Sequence, residues 1–190
     1  MKKKHINLLS STTTMGMFND VLRGDQTLFK SEESLSPEYV PKMLPFRENE
    51  QRRIATSIKP LLMGRDGRNA FIVGAPGIGK TAAAKHVLRE LEEESDDVAV
   101  VYINCWQRNT TYKILLAICE EMGYGFTTNK KTDELGIIAA DLLNKKGAVL
   151  VFDEVDKCED FDFLYTLLES VYKKSIFCIT NYRSTLLDMD

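Results

Sequence analysis

Long hydrophobic runs are missing from this chain of 190 residues, and no stretch approaches the roughly 20 apolar residues that a membrane-spanning helix needs. The first residues, from Met1 to Phe18, are rich in serine, threonine and asparagine and contain no apolar run of signal-peptide length. We therefore expect a soluble, cytoplasmic protein that has no membrane partner.

Cysteine is scarce, and its four positions show no C-x-x-C spacing. Neither of the two histidines stands at ligand spacing from a cysteine, which argues against a structural zinc site. We expect reduced and mostly buried thiols at Cys105, Cys119, Cys158 and Cys178.

An excess of positive charge is also missing, because the formal net charge is -3. Proteins that adhere to polyanions through a global electrostatic field carry the opposite balance of charge. Any contact with DNA must therefore come from a local group of basic residues.

The 44% of hydrophobic residues is the proportion expected of a globular protein with its own core. Residues 1–36 show weak periodicity and include a Ser-Thr-Thr-Thr run, so we interpret them as a poorly ordered N-terminal arm. Three prolines stiffen the next segment, Pro37 to Pro45. Residues 37–190 are predicted to form one folded domain.

Short apolar runs alternate with longer amphipathic segments along this domain. The runs predict strands at 70–73, 98–103, 148–152 and 176–180, and the amphipathic segments predict helices near 47–63, 80–94, 111–122, 133–145 and 159–172. Continuous runs rich in Val, Ile and Phe are typical of parallel strands that are buried on both faces. The sequence therefore predicts an α/β fold with helices on both sides of a parallel sheet.

The strongest motif is Gly74-Ala75-Pro76-Gly77-Ile78-Gly79-Lys80-Thr81, which fits G-x-x-x-x-G-K-[ST] between a predicted strand and a predicted helix. Its glycines let backbone N–H groups converge on phosphate oxygens, and the start of a helix favours negative charge. Lys80 would reach the β and γ phosphates, and the Thr81 hydroxyl would help to hold Mg²⁺. An ordinary glycine-rich turn is the alternative, but the context favours the binding of ATP or GTP.

A second motif is the apolar run Ala148 to Phe152, which ends in the adjacent acids Asp153 and Glu154. Ligands of open α/β sheets bind at this end of the strands. Asp153 would hold Mg²⁺, and Glu154 would orient or deprotonate the attacking water. Acids also follow strands simply because the chain reaches solvent, but a phosphate-binding loop upstream favours the functional interpretation.

The last predicted strand ends at Asn181, whose amide could contact the γ-phosphate or the lytic water. We assign catalytic roles to Lys80, Glu154 and Asn181. The adjacent acid pair favours an ATP hydrolase, and the guanine-reading N-K-x-D motif is missing, so ATP is preferred over GTP.

Several further motifs resemble those of archaeal origin-recognition and cell-division-control type initiators, which are AAA+ ATPases. The resemblance runs from Met17 onward and includes Leu35-Ser36-Pro37-Glu38-Tyr39-Val40-Pro41, Leu44-Pro45-Phe46-Arg47-Glu48, Val101-Tyr102-Ile103-Asn104-Cys105, Asn109-Thr110-Thr111-Tyr112, Thr132-Asp133-Glu134-Leu135 and Phe152-Asp153-Glu154-Val155-Asp156-Lys157. It implies a three-layer P-loop core, adenine contacts from Val40 and Arg47, and a γ-phosphate sensor at Asn181.

The same resemblance implies a helical insertion that contacts origin DNA, here through the loop Gly123 to Lys131 with Lys130 and Lys131. It also implies a last core strand, a helical lid and a winged-helix domain, which we expect to be lacking because the sequence stops at Asp190. The expected function is an ATP-dependent switch for binding origin double-stranded DNA and for loading the replicative helicase, with possible self-association. A clamp-loader or repair ATPase, or a nucleotide-binding module with negligible turnover, is the alternative.

Overall fold

Strands and helices alternate along residues 47–182, which are the residues that the computed structural model describes. The strands are β1 Ala70–Val73, β2 Val98–Asn104, β3 Gly147–Asp153 and β4 Lys174–Thr180. The helices are α1 Glu48–Leu62, α2 Lys80–Glu94, α3 Thr111–Glu121, α4 Thr132–Leu143 and α5 Asp162–Ser170, and a 3-10 turn, Val155–Lys157, follows β3. Each predicted strand and helix is present, with small shifts at its ends.

All four strands are parallel and lie in the order β1-β4-β3-β2, which confirms the predicted α/β class with a parallel sheet. Val73 pairs with Thr180, and Asn104 pairs with Asp153. The carboxyl ends of all four strands therefore meet at one edge of the sheet. Polar residues that follow different strands are brought together there.

The sheet separates two hydrophobic cores. On one face, β3 and β4 pack against α3, α4 and α5 through Leu150, Phe152, Ile176, Ile114, Leu135 and Leu167. On the other face, the same strands pack against α1 and α2 through Val149, Val151, Phe177, Ile179, Ile58 and Leu88. Successive residues of each of these strands point alternately into the two cores. Almost every residue of the strand is therefore apolar, which explains the continuous apolar runs in the sequence. The arrangement is a three-layer α/β sandwich.

The segment after α1 turns back along that helix. Gly64, with φ +70°, ends α1 in the left-handed conformation that glycine adopts at little cost. The Arg68 N–H then donates to the carbonyl of Ser57 at 3.0 Å, and the Ser175 hydroxyl donates to the same carbonyl at 3.2 Å. These bonds fix Arg68 beside the middle of α1, just before β1 begins.

The cysteines carry free thiols, and three of them are buried. Burial raises the pKa of the Cys178 thiol to about 12. A hydrogen bond with Cys158, together with burial, raises the pKa of Cys105 well above its usual range. The Cys105 and Cys178 thiols are therefore poor nucleophiles in the folded chain.

No helix within residues 47–182 is both long and apolar enough to cross a bilayer. The predicted N-terminal arm, residues 1–36, and Val40 lie outside the described residues, as do the last eight residues of the sequence, 183–190.

Candidate functional site

The glycine-rich motif forms the connection between β1 and α2. Gly77 and Gly79 have φ values of +75° and +87°, a region that residues with a Cβ rarely adopt. Gly79 is the residue before α2, and no side chain caps the first N–H groups of that helix. The start of α2 therefore presents uncapped amide donors and the positive end of the helix dipole.

The ammonium group of Lys80 forms three hydrogen bonds, two of them with this loop. Its Nζ donates to the carbonyl oxygens of Gly74 at 2.8 Å and Ala75 at 3.0 Å. The third bond, at 2.8 Å, is to Oδ1 of Asn181, just beyond β4. Two of the three predicted catalytic residues, Lys80 and Asn181, are thus in direct contact.

Asp153 is the centre of a second set of hydrogen bonds at the end of β3. It is a buried carboxylate, with 3% of its surface exposed. Its Oδ2 accepts from the Thr81 hydroxyl at 2.7 Å and from the Tyr102 hydroxyl at 2.6 Å. Its Oδ1 accepts from the Glu154 N–H at 2.9 Å. The structure therefore brings together the two residues that were predicted to hold a metal, Thr81 and Asp153.

Tyr102 is a site residue that our sequence analysis did not assign. It lies in β2, next to β3, and the ammonium of Lys85 is 4.6 Å from the centre of its ring. Burial and the hydrogen bond to Asp153 raise the pKa of Tyr102 far above its usual range, so its hydroxyl remains a proton donor. A single hydroxyl within the apolar run 98–103 is the signal in the sequence that could have identified it.

Glu154 has a left-handed backbone, with φ +56° and ψ +44°, at the start of the 3-10 turn. This conformation is uncommon for a residue other than glycine and is often found where a functional side chain must be aimed. Glu154 directly follows Asp153 and therefore lies at the same edge of the sheet as Asn181, which follows β4.

The neighbours of Asn181 along the chain, Thr180 and Tyr182, are held by hydrogen bonds. The Thr180 hydroxyl donates to Oδ1 of Asp156 at 2.9 Å, and the Tyr182 N–H donates to the Thr180 hydroxyl at 3.1 Å. These bonds tie the end of β4 to the turn that carries Glu154. Asp156 was not predicted from the sequence, because its partner is distant along the chain.

The remaining predicted residues lie at the margins of this site or away from it. Arg47 immediately precedes α1, forms a 3.5 Å ion pair with Glu50, and has its Nε beside Gly79. Lys130 and Lys131 end the loop between α3 and α4, where Lys130 forms a 3.6 Å ion pair with Glu134. The structure thus places Arg47 near the phosphate-binding loop and the two lysines just before α4.

The donors and acceptors of this site suit a triphosphate and a divalent cation. Gly77 has open space where a side chain would project, and the adjacent amides at the start of α2 are uncapped. Hydroxyl and carboxylate oxygens, here those of Thr81 and Asp153, are the ligands that Mg²⁺ prefers. The residues therefore fit a nucleotide and its metal ion.

Comparisons with known proteins agree with this geometry. The sequence profile of the AAA domain matches residues 64–182. The ORC1-type DNA replication protein 1 of Sulfurisphaera tokodaii is 37% identical over 172 residues, which cover 81% of this chain and 42% of that protein. The protein of the same name from Archaeoglobus fulgidus is 33% identical over 183 residues, with 90% and 44% covered.

Solved structures give the same result. The Aeropyrum pernix ORC1 protein in complex with DNA is 32% identical with a TM-score of 0.69, over 79% of this chain and 42% of that one. The fold also matches the Aeropyrum pernix ORC2 protein in its ADPNP-ADP complexes, with 22% identity, a TM-score of 0.71, and 85% and 47% covered. The chain spans less than half the length of these relatives.

Proposed function

Because the chain belongs to the AAA domain family and its matched relatives are ORC1-type DNA replication proteins, we propose that it is the ATP-binding core of a replication initiator. In this proposal ATP acts in the cytoplasm as a switch for binding origin double-stranded DNA and for loading the replicative helicase. The observation that carries it is the convergence of Lys80, Thr81, Asp153 and Asn181 from three separate parts of the sequence at one edge of the sheet.

The residues of the site divide the work of binding and hydrolysis. The amides of residues 75–79 and the Lys80 ammonium bind the phosphates, while Thr81 and Asp153 hold Mg²⁺. When bound, Mg-ATP supplies the bond that is cleaved and the cation that offsets the charge developing on the phosphates. Glu154 accepts the proton of the attacking water. Val40 and Arg47 contact adenine.

The contact between Lys80 and Asn181 gives the switch a physical basis. The Lys80 ammonium is shared among two backbone carbonyls and the Asn181 amide. A phosphate oxygen carries more negative charge than an amide oxygen, so bound nucleotide competes for the same ammonium. Asn181 is then released to contact the γ-phosphate, and the end of β4 responds to the state of the nucleotide.

DNA contact is assigned to the loop between α3 and α4. Lys130 and Lys131 belong to the same loop as Phe126, which has 82% of its surface exposed and packs edge-on against Tyr124 at a centroid distance of 6.1 Å. Cations on a short loop can contact phosphates without reading the sequence. The complex of the Aeropyrum pernix ORC1 protein with DNA supports a DNA ligand for this class of protein.

The test is to measure binding of labelled duplex DNA by fluorescence anisotropy with ATP, with ADP and without nucleotide. We expect the affinity for DNA to differ between the ATP and ADP states. Equal affinity in all three states would contradict the switch, and a failure to bind any duplex would contradict the initiator assignment.

Steady-state ATP hydrolysis, measured with and without duplex, distinguishes an ATPase from a nucleotide-binding module. Nucleotide-dependent assembly with a sliding clamp would instead favour a clamp-loader.

A further inference from the structure

Three arginines line a cavity on the outer side of α1. Arg52 and Arg53 project from the helix, Arg68 comes from the segment before β1, and the cavity has a volume of about 680 Å³. Its remaining lining residues are neutral and polar: Asn49, Thr56 and Ser57. We call this group the arginine pocket, and no carboxylate lines it.

Backbone contacts hold the arginine pocket together. The bond from the Arg68 N–H to the Ser57 carbonyl, at 3.0 Å, keeps the third arginine beside the helix that carries the other two. The hydroxyls of Thr56 and Ser57 donate back to the carbonyls of Arg52 and Arg53, at 2.6 Å and 3.1 Å. The nearness of the three arginine backbones is therefore set by the fold.

The three guanidinium groups of the pocket form no ion pair within the described part of the chain. Arginines elsewhere in the described residues do form ion pairs, such as Arg47 with Glu50 and Arg108 with Glu120. None of the ion pairs within residues 47–182 involves Arg52, Arg53 or Arg68. Three like charges facing one cavity repel each other, and an anion bound among them relieves that repulsion.

We propose that the arginine pocket binds phosphate groups of a DNA backbone. The proposal rests on the proposed function, to which it adds a second DNA contact that shares no residue with the ATP site or with the Lys130 and Lys131 loop. Guanidinium groups match phosphate oxygens in a bidentate geometry and are more weakly hydrated than ammonium groups. Because the formal net charge is -3, DNA binding requires local basic surfaces of this kind.

The test removes the charge while it keeps polar side chains of similar reach. The variants are the double change Arg52→Gln with Arg53→Gln, and the single change Arg68→Gln. Anisotropy of a labelled random-sequence duplex is titrated at several salt concentrations with ATP present. The matched control is Lys145→Gln with Lys146→Gln, which removes two adjacent exposed cations between α4 and β3.

We expect the double variant to bind the duplex roughly 10-fold more weakly at low salt. The slope of log affinity against log salt concentration should become shallower by about one to two, which corresponds to the loss of one to two phosphate contacts. The loss should be the same for unrelated duplex sequences, because phosphate contacts carry no sequence information. Arg68→Gln should show about half of the change in salt slope, and the lysine control should bind as the unchanged chain does.

Folding is checked by melting temperature and by ATP affinity. If the glutamine variants melt early, Arg52→Lys with Arg53→Lys provides the second test, because it keeps the charge. It should retain the salt slope while losing part of the affinity that depends on the bidentate geometry.

Two results overturn the inference while leaving DNA binding intact: unaltered affinity in the arginine variants, or an equal loss in the lysine control. A labelled oligoglutamate of matched charge is the second probe. If the arginine variants lose oligoglutamate but keep the duplex, the pocket binds carboxylates and the inference is wrong. If the unchanged chain binds no duplex, both the inference and the proposed function fail.

Discussion

The Tyr102 hydroxyl and the Asp153 carboxylate are joined by a 2.6 Å hydrogen bond between neighbouring strands, β2 and β3. The bond ends on Oδ2, the same oxygen that accepts from Thr81. Since Asp153 is buried, its orientation is set by these few donors rather than by water. Tyr102 therefore positions the carboxylate that is proposed to hold Mg²⁺, and groups in this role commonly affect metal affinity.

Replacing Tyr102 with Phe should raise the Mg²⁺ concentration needed for half-maximal ATP binding by roughly 10-fold, because the ring remains but the donor to Asp153 is lost. Calorimetric titration of ATP at a series of Mg²⁺ concentrations measures this shift. Tyr165→Phe, at an exposed position on α5, is the matched control. A Tyr102→Phe chain with lower stability but an unchanged Mg²⁺ requirement would show that the bond only supports folding.

Replacing Lys80 with Ala should weaken ATP affinity by roughly 100-fold, since two charge-assisted hydrogen bonds to phosphate are lost. Calorimetric titration with ATP and with ADP measures this affinity. Circular dichroism shows whether the variant still folds without the bonds from Lys80 to the loop carbonyls. ATP affinity equal to that of the unchanged chain would rule out the assigned role.

Glu154→Gln should leave ATP affinity nearly unchanged and reduce turnover by at least about 100-fold, because an amide keeps the shape of the side chain but cannot accept a proton. Single-turnover hydrolysis and calorimetry on the same preparation separate the two effects. If affinity and turnover fall together, Glu154 has a structural role and is not the base that accepts the proton.

Changing Lys130 and Lys131 together to Ala should weaken duplex binding about equally for all sequences. It should also make the slope of log affinity against log salt concentration shallower by about two, because about two phosphate contacts are lost. The ion pair of Lys130 with Glu134 is half exposed, so its loss should cost little stability. An unaltered salt slope would mean that this loop is only a solvated tip.

Alkaline pH should destabilise the chain through Cys178. Its pKa is about 12 in the folded state against an ordinary 9.0, so between these values the unfolded chain loses a proton that the folded chain retains. The contribution of Cys178 to stability is present below about pH 9 and is lost as the pH rises toward 12, and the loss at pH 10 is on the order of 1 kcal/mol. Urea unfolding at pH 8 and pH 10 measures the loss, which should be smaller by that amount in Cys178→Ala. An identical loss in the variant would contradict this account.

Features formed by consecutive residues could be predicted from the sequence, whereas features formed by residues far apart in the chain could be predicted only in part. The phosphate-binding loop occupies eight consecutive residues, so its motif identified it completely. The pairing of Thr81 with Asp153 followed from the rule that parallel strands end at one edge of a sheet. Roles for Tyr102 and for the arginine pocket were not predicted, because one depends on the order of the strands and the other on a backbone segment that turns back along α1.

The bond between Lys80 and Asn181 also constrains the order in which the site can form. Its two residues are 101 positions apart, and β1 pairs with β4 alone among the described strands. Contacts between such distant segments form late, since the entropy of closing a long loop opposes them. During synthesis, the glycine-rich loop exists long before its last partner emerges. In the proposed switch, the state of the nucleotide would therefore be sensed only after β4 has docked, and a nascent chain that lacks β4 would not report bound ATP.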